Sequence, residues 1–198
     1  MGLTLYSAPA IEPVDLDDAR QFARIDQADQ DALVVSALAV ARSYVEQATR
    51  RALISQTWDL KLDGFDDPEW VRNGVIILPK PPLSSVTSIT YVDTAGTTQT
   101  WSATEYQVVT YAGDFAQPGR IAEAYGYTYP STRTQANSVT IRFVAGYGTD
   151  ADDVPAGLKH AIKLLVMELL ERGAPSGVVV PIAELQIRRL LAPYKVFL

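Results

Sequence analysis

Apolar positions along this chain change their period twice, from helical to alternating and back to helical. Behind Asp15, a good N-cap, Leu16, Ala19 and Ala23 recur at three and four residues, and Asp17 and Asp18 suit the positive end of a helix. This predicts a short helix from 16 to about 24. After a polar link from Asp26 to Gln30, the set Leu33, Val34, Ala37, Leu38, Ala41, Tyr44, Val45 and Ala48 keeps helical period for several turns. The other face of this second helix carries Arg42, Glu46, Gln47, Arg50 and Arg51.

From Thr57 the period becomes two. Trp58, Leu60 and Leu62 alternate with polar residues, the mark of a half-buried strand. Further strands are predicted at 75–78, 86–92, 97–101, 106–111, 120–124 and 138–144. Asp93-Thr94-Ala95-Gly96 supplies a hairpin turn between two of them. Short, closely spaced strands divided by Gly and Pro predict an antiparallel sheet or small sandwich, not parallel βαβ units.

Helical period returns at Pro155, a favoured first-turn residue. Leu158, Ala161, Ile162, Leu164, Leu165, Val166, Met167, Leu169 and Leu170 leave the middle of this helix with almost no polar face. Such a helix is expected to be buried on all sides, packed on its own bundle and, through Leu164, Leu165, Met167 and Leu169, on a neighbouring subunit. Gly173, Pro175 and Gly177 are expected to end it. Pro181 opens a last helix with the stripe Ala183, Ile187, Leu190 and Leu191, followed by the apolar tail Pro193-Tyr194-Lys195-Val196-Phe197-Leu198. A chain terminus is ordinarily polar and frayed, so this tail implies cover from outside the chain. The expected fold is α+β: a helical bundle from 15–54 and 155–191, interrupted by an antiparallel β insertion. The corresponding divisions are 1–54, 55–150 and 151–198.

Composition narrows the function. The 198 residues carry a net charge of −6. A groove for DNA phosphates needs clustered Lys and Arg, so sequence-specific DNA binding is not expected, although an acidic wall lets a duplex slide past. With no cysteine, disulfides, zinc–thiolate sites and thiol nucleophiles are all excluded. No run reaches the roughly 18 apolar residues of a membrane span, and the start lacks the pattern of a signal peptide. A product made in the cytoplasm and independent of membranes is expected.

The candidates for chemistry are weak. His160 is the single histidine and lies in the apolar third helix, which rules out a two-histidine metal site. Asp26, Asp29 and Asp31 lack the glycine and distal glutamate of a calcium loop. Gly146-Tyr147-Gly148 lacks the ending of a phosphate loop and reads as a turn. No serine sits in a nucleophile elbow. Neither a metal, a cofactor nor catalytic residues are expected. Trp58, Trp70, Tyr91 and Trp101 fit sheet packing. Tyr125-Gly126-Tyr127-Thr128-Tyr129-Pro130 is more aromatic than an exposed loop should be, and fits either a packed corner or a subunit contact. Arg188, Arg189 and Lys195 form the one local basic cluster, read either as cations at the negative end of the last helix or as a docking site for an acidic surface.

Taken in order, several short segments are similar to tailed-phage head–tail connector (adaptor) proteins, including those of gene transfer agents. They are Leu16-Asp17-Asp18-Ala19-Arg20-Gln21-Phe22-Ala23-Arg24-Ile25-Asp26, Ala41-Arg42-Ser43-Tyr44-Val45-Glu46, Ala52-Leu53-Ile54-Ser55-Gln56-Thr57-Trp58, Leu78-Pro79-Lys80-Pro81-Pro82-Leu83, Val144-Ala145-Gly146-Tyr147-Gly148 and Leu191-Ala192-Pro193-Tyr194. The resemblance implies a structural, non-enzymatic protein of a virion or gene-transfer-agent neck, made in a bacterial host. It implies a ring of this chain, twelve copies by the portal's symmetry, below the portal protein and above a tail-side neck, stopper or terminator protein, with DNA passing through unbound. Within that picture Arg188, Arg189, Leu190, Leu191, Pro193, Tyr194, Val196, Phe197 and Leu198 are the expected docking residues. Asp17, Asp18, Asp26, Asp29 and Asp31 are the expected acidic lining of the channel. The alternatives are a tail-completion ring one level further down or, from another class, a carbohydrate-binding or hydrolytic β module using exposed aromatics.

Overall fold

The computed structural model describes residues 2–25, 30–172 and 181–197. Their contacts divide them into two compact units, one of residues 1–9 and 55–147, the other of residues 10–54 and 148–198.

The first unit is two antiparallel sheets. Strands β1 (Gly2–Ser7), β2 (Gln56–Leu62), β5 (Leu83–Val92), β6 (Thr98–Thr100) and β9 (Val139–Ala145) form one, in the order β1-β2-β9-β5-β6. Strands β3 (Val71–Arg72), β4 (Val75–Leu78), β7 (Tyr106–Val109) and β8 (Gly119–Glu123) form the other, in the order β3-β4-β8-β7. Alternation decides which side chains go inward. On β9, Val139, Ile141, Phe143 and Ala145 are buried and the residues between them half-buried, and Trp58 lies opposite Phe143 in the β2–β9 register. At Gly119 the strand passes so close to Leu83 that a Cβ would overlap that side chain, so β8 needs glycine there. The β5–β6 turn forms as its sequence predicts. The Asp93 carboxylate accepts from the amides of Ala95 and Thr97, and Gly96 takes φ +90°.

An aromatic cluster supplies much of the packing of this unit. Phe65 and Trp101 are buried, and Phe65, Trp101 and Tyr129 stand 5.1–5.3 Å apart between ring centroids. Tyr91 meets Phe65, and Tyr106 meets Trp101. The Tyr129 hydroxyl donates to the Gly74 carbonyl at 2.8 Å. Burial, aided by nearby Glu123, pushes this phenol up to about 12 from 10.0. A raised pKa means that the folded state holds the proton more tightly than the unfolded chain. The stabilisation is therefore complete below about pH 10 and is lost as pH climbs from there towards 12. Alkaline unfolding followed by circular dichroism should show that loss in the native protein, and Tyr129→Phe should remove this part of the pH dependence. An unchanged profile in the variant would assign the alkaline transition to other groups.

Strand β1 was not expected from the sequence. It is an edge strand held to β2 by backbone pairing, with Thr4 to Ser7 exposed, so hydrophobic patterning marks it weakly. On the same sheet Arg142 makes a two-pronged ion pair with its cross-strand neighbour Asp59, at 2.7 and 2.8 Å, beneath the ring of Tyr6. The Asp59 carboxylate raises the guanidinium's already high pKa further.

The second unit contains helices α1 (Leu16–Ala23), α2 (Asp31–Thr49), α3 (Ala156–Arg172) and α4 (Pro181–Leu191). Asp15 caps α1 by accepting from the Asp18 amide at 2.7 Å. Helix α2 ends at Arg50, in the left-handed region at φ 59°. Its inward stripe is Val34, Ala37, Leu38, Ala41 and Val45; that of α3 is Leu158, Ala161, Ile162 and Val166. Helix α3 packs on α1, α2 and α4. Gly173, Pro175 and Gly177, expected to end α3, lie outside the described residues. With bundle helices before and after two antiparallel sheets in the chain, the fold is α+β as expected.

Candidate partner-docking surfaces

The carboxy-terminal segment is fastened to its own unit by polar bonds as well as apolar burial. From α4, Ile187 and Leu191 point inward while Arg188 and Arg189 are exposed and Leu190 is half-buried. Pro193 then tightens the chain into a single 3-10 turn, Ala192–Tyr194. Tyr194 is buried against α3, where Gly157 leaves room for it: a Cβ there would lie 2.9 Å from the phenol oxygen. The Tyr194 carbonyl accepts from Arg51 Nε at 2.6 Å, and the Val196 amide donates to the Thr49 carbonyl at 3.1 Å.

The expected row of free apolar anchors is thereby corrected. Leu191, Tyr194 and Val196 are buried within the protomer, because Arg51 and the end of α2 offer the tail's backbone its hydrogen-bond partners. Phe197 remains 88% exposed, with Pro193, Arg188 and Arg189 also at the surface. Leu198 lies outside the described residues.

Arg51 is the residue that sequence reasoning misplaced most. Assigned to the polar face of α2, it is 2% exposed. The left-handed Arg50 turns the chain after the helix, so Arg51 no longer follows the helical wheel. Glu46, also on that face, is buried too. It accepts from the Leu53 amide at 3.0 Å and from Arg42 at 3.3 Å, and Arg42 in turn binds Glu12 at 2.8 Å. A charged residue followed by the apolar run Ala52-Leu53-Ile54 was the available signal.

Helix α3 is not covered all round. Leu164, Leu165 and Met167 are half-buried and Leu169 is 44% exposed, since a single inward stripe satisfies this small bundle. His160 is exposed and meets the edge of Phe22, with ring centroids 5.6 Å apart. It lines a groove of about 440 Å³ with Leu164, Gln186, Arg189 and Leu190.

Two of the expected acidic lining residues are in ion pairs. Asp18 is paired with Lys163 at 2.5 Å and Asp31 with Arg20 at 3.2 Å, so neighbouring cations offset their charges. The docking of α1 on α3 brings the first of these pairs together. Asp17 is exposed, and Asp26 and Asp29 lie outside the described residues. The aromatic loop is packed in part. Tyr129 makes a packed corner, whereas Tyr125 is wholly exposed and Tyr127 is 48% exposed. Among the described residues no group of three or more His, Asp or Glu side chains is arranged to hold a metal, and no described helix is long and apolar enough to cross a membrane.

Residues 13–98 match the model of the phage gp6-like head-tail connector protein family. Along its whole length the chain is also similar to a chain from the neck of an empty gene transfer agent (GTA) particle computed with C6 symmetry. The TM-score is 0.79 at 26% identity, covering 100% of this chain and 97% of the other. The resemblance to head–tail connectors holds. A chain of the native GTA virion gives a TM-score of 0.79 at 27% identity, and one from the native GTA neck computed with C12 symmetry gives 0.76 at 26%, each with the same coverage of 100% and 97%. A comparison with curated proteins found no match. The connector family's pattern thus spans α1, α2 and strands β2 to β5, while the similarity to neck chains extends through α4 and the tail.

Proposed function

We propose that this chain is a structural head–tail connector of a phage or gene-transfer-agent neck. It forms a ring, of twelve copies, that sits below a portal, continues the DNA channel and presents a platform to a tail-side neck protein. The observation that carries this reading is the full-length similarity to chains of GTA necks, one of them computed with C12 symmetry. The residues are compatible with it. The described part offers no metal cluster, Phe65, Tyr91, Trp101, Tyr106 and Tyr129 pack against one another, and the net charge of −6 does not favour a phosphate-binding groove. Portal docking falls to the exposed part of the carboxy-terminal segment, namely Arg188, Arg189, Pro193 and Phe197, with Leu190 at their edge. Leu164, Leu165, Met167 and Leu169 are open enough to take part in contacts between copies. DNA passes without specific binding, and no cofactor is required.

Negative-stain microscopy of the purified protein with and without the portal of the same particle tests the reading. Rings stacked coaxially on portals are expected. A protein that stays monomeric and leaves portals bare would overturn it.

A further inference from the structure

A cyclic ring of more than two copies has heterologous contacts, in which one patch of each protomer meets a different patch of the next. Each protomer therefore has to present two unlike surfaces. Two surfaces with apolar character that differ in shape lie among the described residues of the helical unit. One is a stripe on α2. Leu33, Val40 and Tyr44, spaced by seven and four residues, share one side of the helix and are 56%, 54% and 45% exposed. The stripe is flanked by Ser36, Ser43 and Gln47, so this side of α2 carries no charge. The other surface is the groove between α3 and α4, with Leu164 and Leu190 as its apolar part and His160, Gln186 and Arg189 around them.

The two are matched in shape and charge. A single-helix ridge is convex and a cleft between two helices is concave, the pairing by which helices ordinarily pack. Copies with a net charge of −6 repel one another, so they approach most readily where acidic groups are missing. The stripe is uncharged, and among the described residues the charged side chain lining the groove is the cation Arg189. Two stripes facing each other would instead make an isologous pair that closes at two copies.

We propose that the Leu33–Val40–Tyr44 stripe of one copy seats in the α3–α4 groove of the next, at Leu164 and Leu190. This rests on the ring reading above and names the contact that builds the ring. The test uses the chain's lack of cysteine. Full-length Val40→Cys/Leu164→Cys protein, assembled and treated with a short bismaleimide, should give a ladder of products beyond the dimer on a denaturing gel. Val40→Cys alone should give none. Val40→Glu, at a residue more than half exposed, should keep the native circular dichroism and melting temperature while losing rings. Rings seen by negative stain without a ladder, dimers from Val40→Cys alone, or normal rings from Val40→Glu would each overturn this contact and leave the ring reading standing. If the unsubstituted protein forms no rings with or without portal, the ring reading fails and this contact with it.

Discussion

Replacing Arg51 by Met is expected to destabilise the protein by about 2–3 kcal/mol and to loosen the segment from Tyr194 onward. Arg51 is buried and its Nε donates to the Tyr194 carbonyl at 2.6 Å. Methionine fills much of the same space but has no donor, so the carbonyl loses a charge-assisted bond in a site from which water is excluded. Hydrogen bonds to charged groups contribute about 1.5–3 kcal/mol, and a buried acceptor left without a partner costs about as much. The Val196 amide, which donates to Thr49, depends on the same docking. Its hydrogen exchange should therefore accelerate in the variant, together with a lower midpoint in urea. Arg50→Gln is the control: Arg50 is exposed, and a surface change of that kind is expected to shift stability by about 0.5 kcal/mol or less. Native-like stability and unchanged Val196 exchange in Arg51→Met would mean that the tail is held without the Arg51 bond, by apolar burial and the Val196–Thr49 hydrogen bond.

The same arrangement changes what a truncation does. On sequence alone the tail was expected to be covered from outside the chain. Deleting residues 194–198 in fact removes the acceptor of Arg51, the filler beside Gly157 and the strap across Thr49. Lost folding and lost docking would be confounded in that experiment, so point substitutions at exposed positions are the better probe.

These misreadings share a cause. Periodicity reports which side of an element faces a core, and it worked where elements are regular. Val34, Ala37, Leu38, Ala41 and Val45 of α2, the inward stripe of α3 and the alternation of β9 lie where their patterns put them, whereas Leu33 and Tyr44, at the margin of the α2 set, are exposed. It is silent on what happens after an element ends. Arg51 follows a left-handed turn, and Tyr194 and Val196 follow a proline; all three are buried through hydrogen bonds that have no period. Strand β1 was missed because an edge strand relies on backbone pairing, for which any side chain serves. Ion pairs between distant segments, such as Asp18 with Lys163, are likewise invisible until the helices are docked. At Leu164 to Leu169 the failure is more instructive. More apolar surface is present than this small bundle covers, and on the ring reading proposed above that excess serves contacts between copies.

Phe197→Asp is expected to abolish stable incorporation into portal complexes while leaving the protomer folded. Phe197 is 88% exposed, and neither Tyr194 nor Val196 depends on its ring. The melting temperature should accordingly match that of the unsubstituted protein. Burying one phenylalanine in a partner contributes about 1.5–3 kcal/mol, equivalent to about a tenfold to hundredfold change in affinity at each contact. A ring engages its partner through many copies at once, so a modest loss per copy is multiplied in the avidity of the whole. Phe197→Leu keeps an apolar side chain and should retain most of the binding. Arg189→Gln should weaken it in a manner that depends on salt, because an exposed charge acts through a field screened within about 10 Å at 0.1 M. Sedimentation of fluorescently labelled protein with purified portal distinguishes these cases. Co-sedimentation of Phe197→Asp at the level of the unsubstituted protein would remove the tail from the docking surface, leaving Arg188 and Arg189 on α4 as the residues to test next.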